Sequence, residues 1–182
     1  RVVAALVGDG TMGIAANGLL GTSTTLACLP AGTADDFARS LGIGTLEDGV
    51  RAIAEGNVVP IDVVRVTTEA GRRCYVNVAG CGLDSEVSEA ANTMRVRLGG
   101  AATYVVAMLK TLARFTPAVF RIELDGEVVE GPHMLVIMGN STTYGGGMKV
   151  TPDASMVDGL LDVCLLEAIS VPAFLWAFPM VF

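Results

Sequence analysis

The segment LVGDGTMGIAANG, residues Leu6 to Gly18, sets two glycines around one aspartate at the end of an apolar run. The run itself, Val2 to Val7, predicts a strand buried on both faces of a parallel sheet, and the residues from Met12 to Leu20 are apolar enough to form a short helix. A strand that passes through a glycine turn into a helix aims backbone N–H groups and the positive end of the helix dipole at one place. The segment therefore predicts an anion site that suits phosphate.

The residues of this turn suggest separate roles. Gly8 and Gly10 allow backbone conformations and close approaches that a side chain would forbid, and Thr11 offers a hydroxyl. Asp9 fits Mg²⁺ beside a phosphate, an anchor for the loop, or a plain cap for the helix at Met12, and the turn alone leaves these alternatives open. No lysine follows, so the turn is not a P-loop, and it is not the dinucleotide fingerprint GxGxxG either.

A second segment, LPAGTADDFARSLGI from Leu29 to Ile43, repeats the same design after a second short strand. It presents Gly32 and Thr33 just before a helix, with Asp35 and Asp36 at the positions where helix caps occur. The carboxyl ends of parallel strands meet at one edge of a sheet, so the two turns are expected to flank one crevice.

The remaining elements predict an α/β part followed by a β-rich part. Thr45 as N-cap and Gly56 as terminator delimit a third helix, with Asp48 completing a capping box. After this helix, strand-like segments dominate, with a hairpin turn at Asp125-Gly126 and a helical stretch from Asp84 to Phe115 between them. We place the domains at residues 1–56 and 57–182.

Composition restricts the function further. The 182 residues are 52% hydrophobic, enough for a sizeable core, and carry a formal net charge of -7, which argues against nucleic-acid binding. An acidic protein that handles phosphates needs a divalent metal or a local basic group. The cysteines form no CxxC pair, which is typical of a reducing cytoplasm. The single histidine, His133, is expected at the surface or a strand edge.

Three stretches carry a resemblance to a known family: GDGTMGIAANGLL, LACLPAGTADDFARSLGI and GNSTTYGGGMKVTPDASMVDGLLDV. They resemble the diacylglycerol kinase and sphingosine kinase superfamily, including the bacterial lipid kinases. The resemblance covers nearly the whole chain and is most specific from Gly139 to Val163, because NAD kinases and phosphofructokinases share GDGT. It implies an α/β nucleotide-binding domain of the NAD kinase and diacylglycerol kinase type, partial here, and a partial β-rich, sandwich-like second domain for the lipid.

The resemblance also implies site residues. The ATP phosphates and ribose would be bound by the first loop and one residue of the second: Val7, Gly8, Asp9, Gly10, Thr11, Met12, Gly13 and Thr33. Mg²⁺ would be held by Asp158 with the backbone carbonyls of Ser155 and Leu160, oxygen ligands that suit this cation. Without the surrounding match, Asp158-Gly159 would be read as an ordinary turn.

The chain departs from the family pattern beside the phosphates. Val7 replaces the first glycine of GGDGT, Gly13 and Ile14 replace an Asn-Glu pair, and Asp35 replaces an asparagine. Loss of the polar pair is expected to weaken nucleotide binding. A carboxylate at Asp35 is expected to repel phosphate unless it is capped or metal-bound.

The function that the resemblance implies is ATP-dependent transfer of a phosphoryl group to the hydroxyl of diacylglycerol or a related lipid. The general base is expected beyond Phe182, because Asp125-Gly126-Glu127 lies too early and reads as the hairpin turn. An NAD kinase-like enzyme and a non-catalytic nucleotide or lipid binder are the alternatives.

The expected partners are ATP, a lipid and, transiently, a membrane surface, with a homodimer as a further expectation and a cytoplasmic or peripheral location. Four cations could face anionic headgroups or simply form a solvated helix surface: Arg95, Arg97, Lys110 and Arg114.

Overall fold

The computed structural model describes residues 1–94 and 100–182 of the chain. These residues form two compact units, one of residues 1–79 and 139–162 and the other of residues 80–138 and 163–182. The predicted domains, residues 1–56 and 57–182, have other boundaries than these two compact units, and that division stays a prediction.

The first unit begins with two parallel strands joined by a helix. Strand β1 (Val2–Val7) pairs in parallel with β2 (Thr25–Pro30), and helix α1 (Asp9–Leu19) connects them. The parallel pairing is confirmed, but the expected burial of β1 on both faces is wrong. Within the described residues this sheet has two strands, and the side chains of Val2 and Leu6 are more than half exposed because little covers them.

Two helices follow β2. Helix α2 (Asp36–Ser40) is short, and α3 (Leu46–Glu55) has the predicted capping box, in which Thr45 and Asp48 exchange side-chain and backbone hydrogen bonds. Gly56 ends α3 in the left-handed conformation, as predicted. Gly49 lets α3 approach the sheet, since a Cβ there would lie 2.8 Å from the Cys28 carbonyl oxygen.

Two antiparallel hairpins complete the regular structure of the first unit. Strands β3 (Val64–Thr68) and β4 (Gly71–Tyr75) form one, and the two-residue strands β8 (Thr143–Tyr144) and β9 (Met148–Lys149) form the other. The core of this unit consists of Met12, Cys28, Phe37, Ala38, Val76 and Met156.

The second unit is a sheet with helices. Its strands are β5 (Val78–Gly82), β6 (Ala118–Leu124), β7 (Glu127–Gly139) and β10 (Asp162–Glu167), in the order β10-β7-β5 with β6 also paired to β7. Its helices are α4 (Leu83–Thr93), α5 (Gly100–Leu112) and α6 (Val171–Ala177), followed by a 3₁₀ turn (Phe178–Val181).

Two predictions in this unit have different outcomes. The hairpin turn at Asp125-Gly126 is confirmed, with φ of 49° and 94° at the two residues. His133 is buried rather than at the surface, because its ring packs against Phe120 and its Nδ1 lies 3.0 Å from the Gly131 carbonyl oxygen.

Arg95 and Arg97, two of the four cations for which headgroup contact and a solvated helix surface were both left open, lie outside the described residues, whereas Lys110 and Arg114 are exposed. Among the helices that the structure describes, none combines the length and apolar character needed to cross a membrane.

Candidate functional site

The two glycine turns of the first unit touch each other. A Cβ built on Gly32 would lie 2.5 Å from the Cα of Gly8, and one on Gly8 would lie 3.0 Å from the Cα of Gly32. Real Cβ atoms essentially never approach backbone as closely as 2.5 Å, so Gly32 needs to be glycine for the turns to meet, and the approach at Gly8 is tighter than most real Cβ contacts. The expectation that the turns converge at one edge of the sheet is confirmed.

Helix α1 begins three residues earlier than the sequence predicts, at Asp9 rather than Met12. Its N-cap residue is Gly8, which has no side chain to cap the helix, and its first intrahelical bond runs from the Met12 N–H to the Gly8 carbonyl oxygen at 3.0 Å. The N–H groups of residues 9, 10 and 11 therefore precede the intrahelical ladder. They form the positive end of an 11-residue helix.

The carboxylate of Asp9 caps the neighbouring helix instead of its own. Its Oδ1 accepts the Phe37 N–H at 2.8 Å and its Oδ2 accepts the Asp36 N–H at 3.2 Å. Of the three roles that the sequence left open, the structure thus supports the anchor, and it attaches the first turn of α1 to the first turn of α2. The N–H groups of Asp36 and Phe37, at the N terminus of α2, are therefore already bonded to a side chain of the protein.

Asp35 directs its carboxylate back into its own loop. Both of its oxygens accept the Gly32 N–H, at 2.9 and 3.1 Å, and its backbone is left-handed, with φ of 53°. Asparagine and aspartate tolerate this conformation better than other side chains do. The capped state that the sequence analysis required of Asp35 is therefore present, which reduces its repulsion of a nearby phosphate.

Asp36 is almost fully buried, with 1% of its surface exposed. Its Oδ1 pairs with the Arg39 guanidinium at 2.8 Å, and its Oδ2 accepts the backbone N–H of Gly146 at 2.7 Å. Gly146 lies in the β8–β9 hairpin, so this carboxylate connects α2 to a third glycine-rich turn. Nothing in the sequence alone links these two residues.

Four of the eight predicted phosphate-binding residues line one depression, and the eight differ in exposure. One shallow depression is lined by Val7, Gly8, Asp9, Met12, Cys28, Asp35, Phe37 and Ala38. The side chain of Met12 belongs to the core, at 1% exposure, so at this position only the backbone is available to a ligand. Gly10, Thr11 and Thr33 are exposed, and Gly13 is half-buried.

Cys28 lines this depression, and its surroundings raise the pKa of its thiol. The pKa of Cys28 is raised to about 11, first because the thiol is buried and then because the carboxylates of Asp35 and Asp9 are near it. A thiol with so high a pKa stays protonated and unreactive at neutral pH.

The predicted metal ligands lie in one tight turn. Asp158 Oδ1 accepts the Leu160 N–H at 3.0 Å, and the Ser155 hydroxyl accepts the Val157 N–H at 3.4 Å. Within the described part of the chain, no group of three or more His, Cys, Asp or Glu side chains is placed to hold a metal. A cation here would therefore take one carboxylate together with backbone carbonyls and water, a donor set that Mg²⁺ accepts.

Asp62 also reaches this turn, and sequence analysis missed it. Its Oδ2 accepts the Gly159 N–H at 2.8 Å, and its own N–H donates to the Met156 carbonyl oxygen at 2.7 Å. The buried Asn140 donates to the Asp62 carbonyl oxygen at 3.0 Å and holds this segment from beneath. A single carboxylate inside the apolar run VVPIDVV was the signal that could have revealed it.

A larger cleft of about 490 Å³ also lies in the first unit, and Ser155, one of the predicted metal ligands, lines it. Its lining carries no charged side chain and consists of Ser40, Leu41, Val59, Ile61, Ser141, Thr142, Ala154, Ser155, Met156 and Val157. Because a triphosphate needs cations or N–H groups, this uncharged cleft suits it less well than the glycine turns do.

Comparison with known families agrees with the fold. Residues 1–66 match the diacylglycerol kinase catalytic domain, and residues 77–182 match the YegS C-terminal NAD kinase beta sandwich-like domain. The class that these define is a two-domain kinase fold, with an α/β nucleotide-binding domain and a β-rich, sandwich-like domain. The chain belongs to the bacterial lipid kinase branch of the diacylglycerol kinase family.

Individual relatives show the same family. The chain is 37% identical over 179 residues to a diacylglycerol kinase of Mycobacterium tuberculosis, covering 96% of this chain and 58% of that protein. It is 33% identical over 180 residues to a diacylglycerol kinase of Bacillus subtilis, covering 96% and 57%. The crystal structure of a diacylglycerol kinase from Bacillus anthracis str. Sterne superposes with a TM-score of 0.69 at 29% identity, covering 98% and 58%. The chain thus spans somewhat more than half the length of these relatives.

Proposed function

We propose that the first unit binds the phosphates of ATP at the N terminus of α1, and that the protein transfers the γ-phosphoryl group to a lipid hydroxyl. Phosphoryl transfer depends mainly on positioning and on neutralisation of charge. The N–H groups of residues 9–11 and the glycine backbone of the two turns provide the positioning. The family supports the reaction class, and the relatives named diacylglycerol kinase support diacylglycerol or a similar lipid as acceptor.

Gly10 is the observation that carries this proposal. It lies in the first turn of α1, its φ is outside the left-handed region, and a Cβ on it would meet no atom of the described residues within 4 Å. Glycine inside a helix costs about 1 kcal/mol relative to alanine, and neither backbone conformation nor packing among the described residues accounts for that cost. Gly13 and Gly18 share this backbone conformation and open space, but only Gly10 belongs to the residues whose N–H groups precede the intrahelical ladder, so a ligand that approaches the backbone closely accounts for glycine at this position.

Within this proposal, the two turns have unequal roles. The N terminus of α2 is already capped by Asp9, so the N–H groups that meet phosphate belong to α1. The exposed hydroxyls of Thr11 and Thr33 lie on the two turns and would contact the phosphates and ribose. Val7, Gly8 and Gly13 would contribute backbone to the same surface.

Mg²⁺ would be held by Asp158 and the carbonyl oxygens of Ser155 and Leu160, and when bound it would supply positive charge to an acidic protein. Asp62 maintains the geometry of that turn through its hydrogen bond to the Gly159 N–H. The acceptor hydroxyl must lose a proton to a base. The buried His133 does not suit that role, because it is engaged with Gly131 and Phe120.

The test compares two glycines of the same helix. Gly10→Ala and Gly18→Ala both replace a helical glycine that has open space around it, so both are expected to stabilise the protein by about 1 kcal/mol. Gly10→Ala is expected to weaken binding of Mg·ATP by at least about tenfold, whereas Gly18→Ala leaves it unchanged. Binding would be measured calorimetrically on the full-length protein.

Turnover would be measured with diacylglycerol and with NAD as competing acceptors, since the family model of residues 77–182 is described as NAD kinase-like. Phosphorylation of NAD alone would contradict the lipid assignment. Unchanged ATP affinity in Gly10→Ala would contradict the placement of the phosphates, and binding without turnover would indicate a non-catalytic binder.

A further inference from the structure

The β8–β9 hairpin contains an unusual turn of three successive glycines. Gly145, Gly146 and Gly147 have φ of 64°, 95° and 104°, a run that residues with side chains rarely adopt. A Cβ on Gly146 or on Gly147 would meet no atom within 4 Å among the residues that the structure describes. The turn therefore presents bare backbone on its outer side.

A turn of this kind has more backbone freedom than any other tripeptide, so a fixed conformation needs an external anchor. Asp36 provides one through its hydrogen bond to the Gly146 N–H, at 2.7 Å. Asp36 is 1% exposed, and its other carboxylate oxygen is paired with Arg39. The anchor is thus a buried side chain in the first turn of α2.

The same residue is attached to the first turn of α1. The backbone N–H of Asp36 donates to Asp9 Oδ2 at 3.2 Å, and the carboxylate of Asp36 accepts from Gly146. Asp9 and Asp36 therefore join three glycine-rich turns into one hydrogen-bonded series. Because both carboxylates are engaged with N–H groups or a guanidinium, their negative charge is offset where a polyanion would lie.

We propose that Asp36 is a positioning residue that holds the three-glycine turn beside the phosphates bound at α1. The turn would then be a third segment of that site, next to the glycine turns that follow β1 and β2. This inference rests on the proposed function, because it requires a nucleotide at the N terminus of α1. It adds the segment from Tyr144 to Met148 to a site that the sequence places only in the two earlier turns.

Two pairs of variants of the full-length protein test it. Asp36→Asn keeps the shape of the side chain but has a single acceptor oxygen, so it cannot serve both Arg39 and Gly146. Its control, Arg39→Ala, removes the ion pair and leaves the bond to Gly146. Gly146→Ala strains an open position at φ of 95°, and its control, Gly126→Ala, strains an equally open position at φ of 94° in the β6–β7 hairpin.

The measurements are the affinities for Mg·ATP and for AMP, together with hydrogen exchange of residues 143–149. Asp36→Asn and Gly146→Ala are expected to weaken ATP binding by about tenfold and AMP binding far less, because only ATP extends to the turn. Asp36→Asn is also expected to accelerate exchange in the hairpin. Neither control variant is expected to change the ratio of ATP to AMP affinity.

The outcomes separate this inference from the proposed function. Absence of nucleotide binding in the unmodified protein would overturn both. If the unmodified protein binds nucleotide, and the ratio of ATP to AMP affinity is unchanged in Asp36→Asn and Gly146→Ala, the role of the hairpin alone would be overturned. Equal losses for ATP and AMP would show that Asp36 has only a structural role and would also overturn it.

Discussion

Asp9 and Phe37, which belong to successive helices, are joined by a hydrogen bond of 2.8 Å from the Phe37 N–H to the Asp9 carboxylate. This bond makes the aspartate of the GDGT turn a cap for the helix that follows the other glycine turn. It joins the first turn of α1 to the first turn of α2 and so helps to keep the two glycine turns together. The hydrogen bond thus fixes the relative position of the residues at which we propose that phosphate binds.

Replacement of Asp9 by alanine is expected to lower the free energy of unfolding of the first unit by about 1–2 kcal/mol, since an N-cap and its charge-assisted bonds are lost. Asp9→Asn keeps one acceptor and is expected to lose about half as much. Urea denaturation followed by circular dichroism would measure both. The exposed Asp153 gives a control, and a loss in Asp153→Ala equal to that in Asp9→Ala would contradict the capping role.

Replacement of Gly32 by alanine is expected to destabilise the protein by about 1–3 kcal/mol, because the new Cβ would lie 2.5 Å from the Cα of Gly8. Gly44→Ala is the control, since a Cβ there would make only an ordinary contact of 3.7 Å with Asp48. Thermal melting of the two variants would show the difference. Similar melting temperatures would mean that the turns do not meet as described.

Asn17 is expected to hold α1 against β4. Its Nδ2 donates to the Cys74 carbonyl oxygen at 2.6 Å, and its Oδ1 accepts the Cys74 N–H at 2.9 Å. Asn17→Ala should cost about 1–2 kcal/mol of stability, and Asn17→Asp at least as much, because a carboxylate cannot donate to the carbonyl.

Chemical denaturation would measure these losses. Asn57, which bonds the side chain of Glu55 at the surface, supplies the comparison, and Asn57→Ala should change little. If Asn17→Asp were as stable as the unmodified protein, the paired bonds to Cys74 could not contribute as proposed.

The raised pKa of Cys28 predicts a loss of stability at high pH. An unfolded thiol loses its proton near pH 9, whereas folded Cys28 retains it to about 11. Its contribution is therefore complete below about pH 9 and declines as the pH rises toward 11. Tyr75, whose pKa burial raises to about 12, acts in the same direction.

Urea midpoints between about pH 8 and 10.5 would measure this dependence. Cys28→Ala is expected to show a shallower decline than the unmodified protein, while the effect of Tyr75 remains in both. Rapid alkylation of folded Cys28 at pH 8 would contradict its burial and its raised pKa.

Local features of this protein could be predicted from the sequence because their chemistry acts within a few residues. The capping box of Thr45 and Asp48, the end of α3 at Gly56 and the hairpin at Asp125-Gly126 depend on side chains that reach their own backbone and on residues that accept positive φ. The glycine turns after β1 and β2 were identified for the same reason.

Partners that are distant along the chain were decided only by the tertiary structure. Asp9 bonds a residue 28 positions away, Asp62 one 97 positions away and Asp36 one 110 positions away. Such pairs depend on which elements pack against one another, and no local rule of propensity, spacing or charge encodes that choice. The sequence by itself therefore determined where the two glycine turns occur, and the packing of the first unit determined which carboxylates hold them in place.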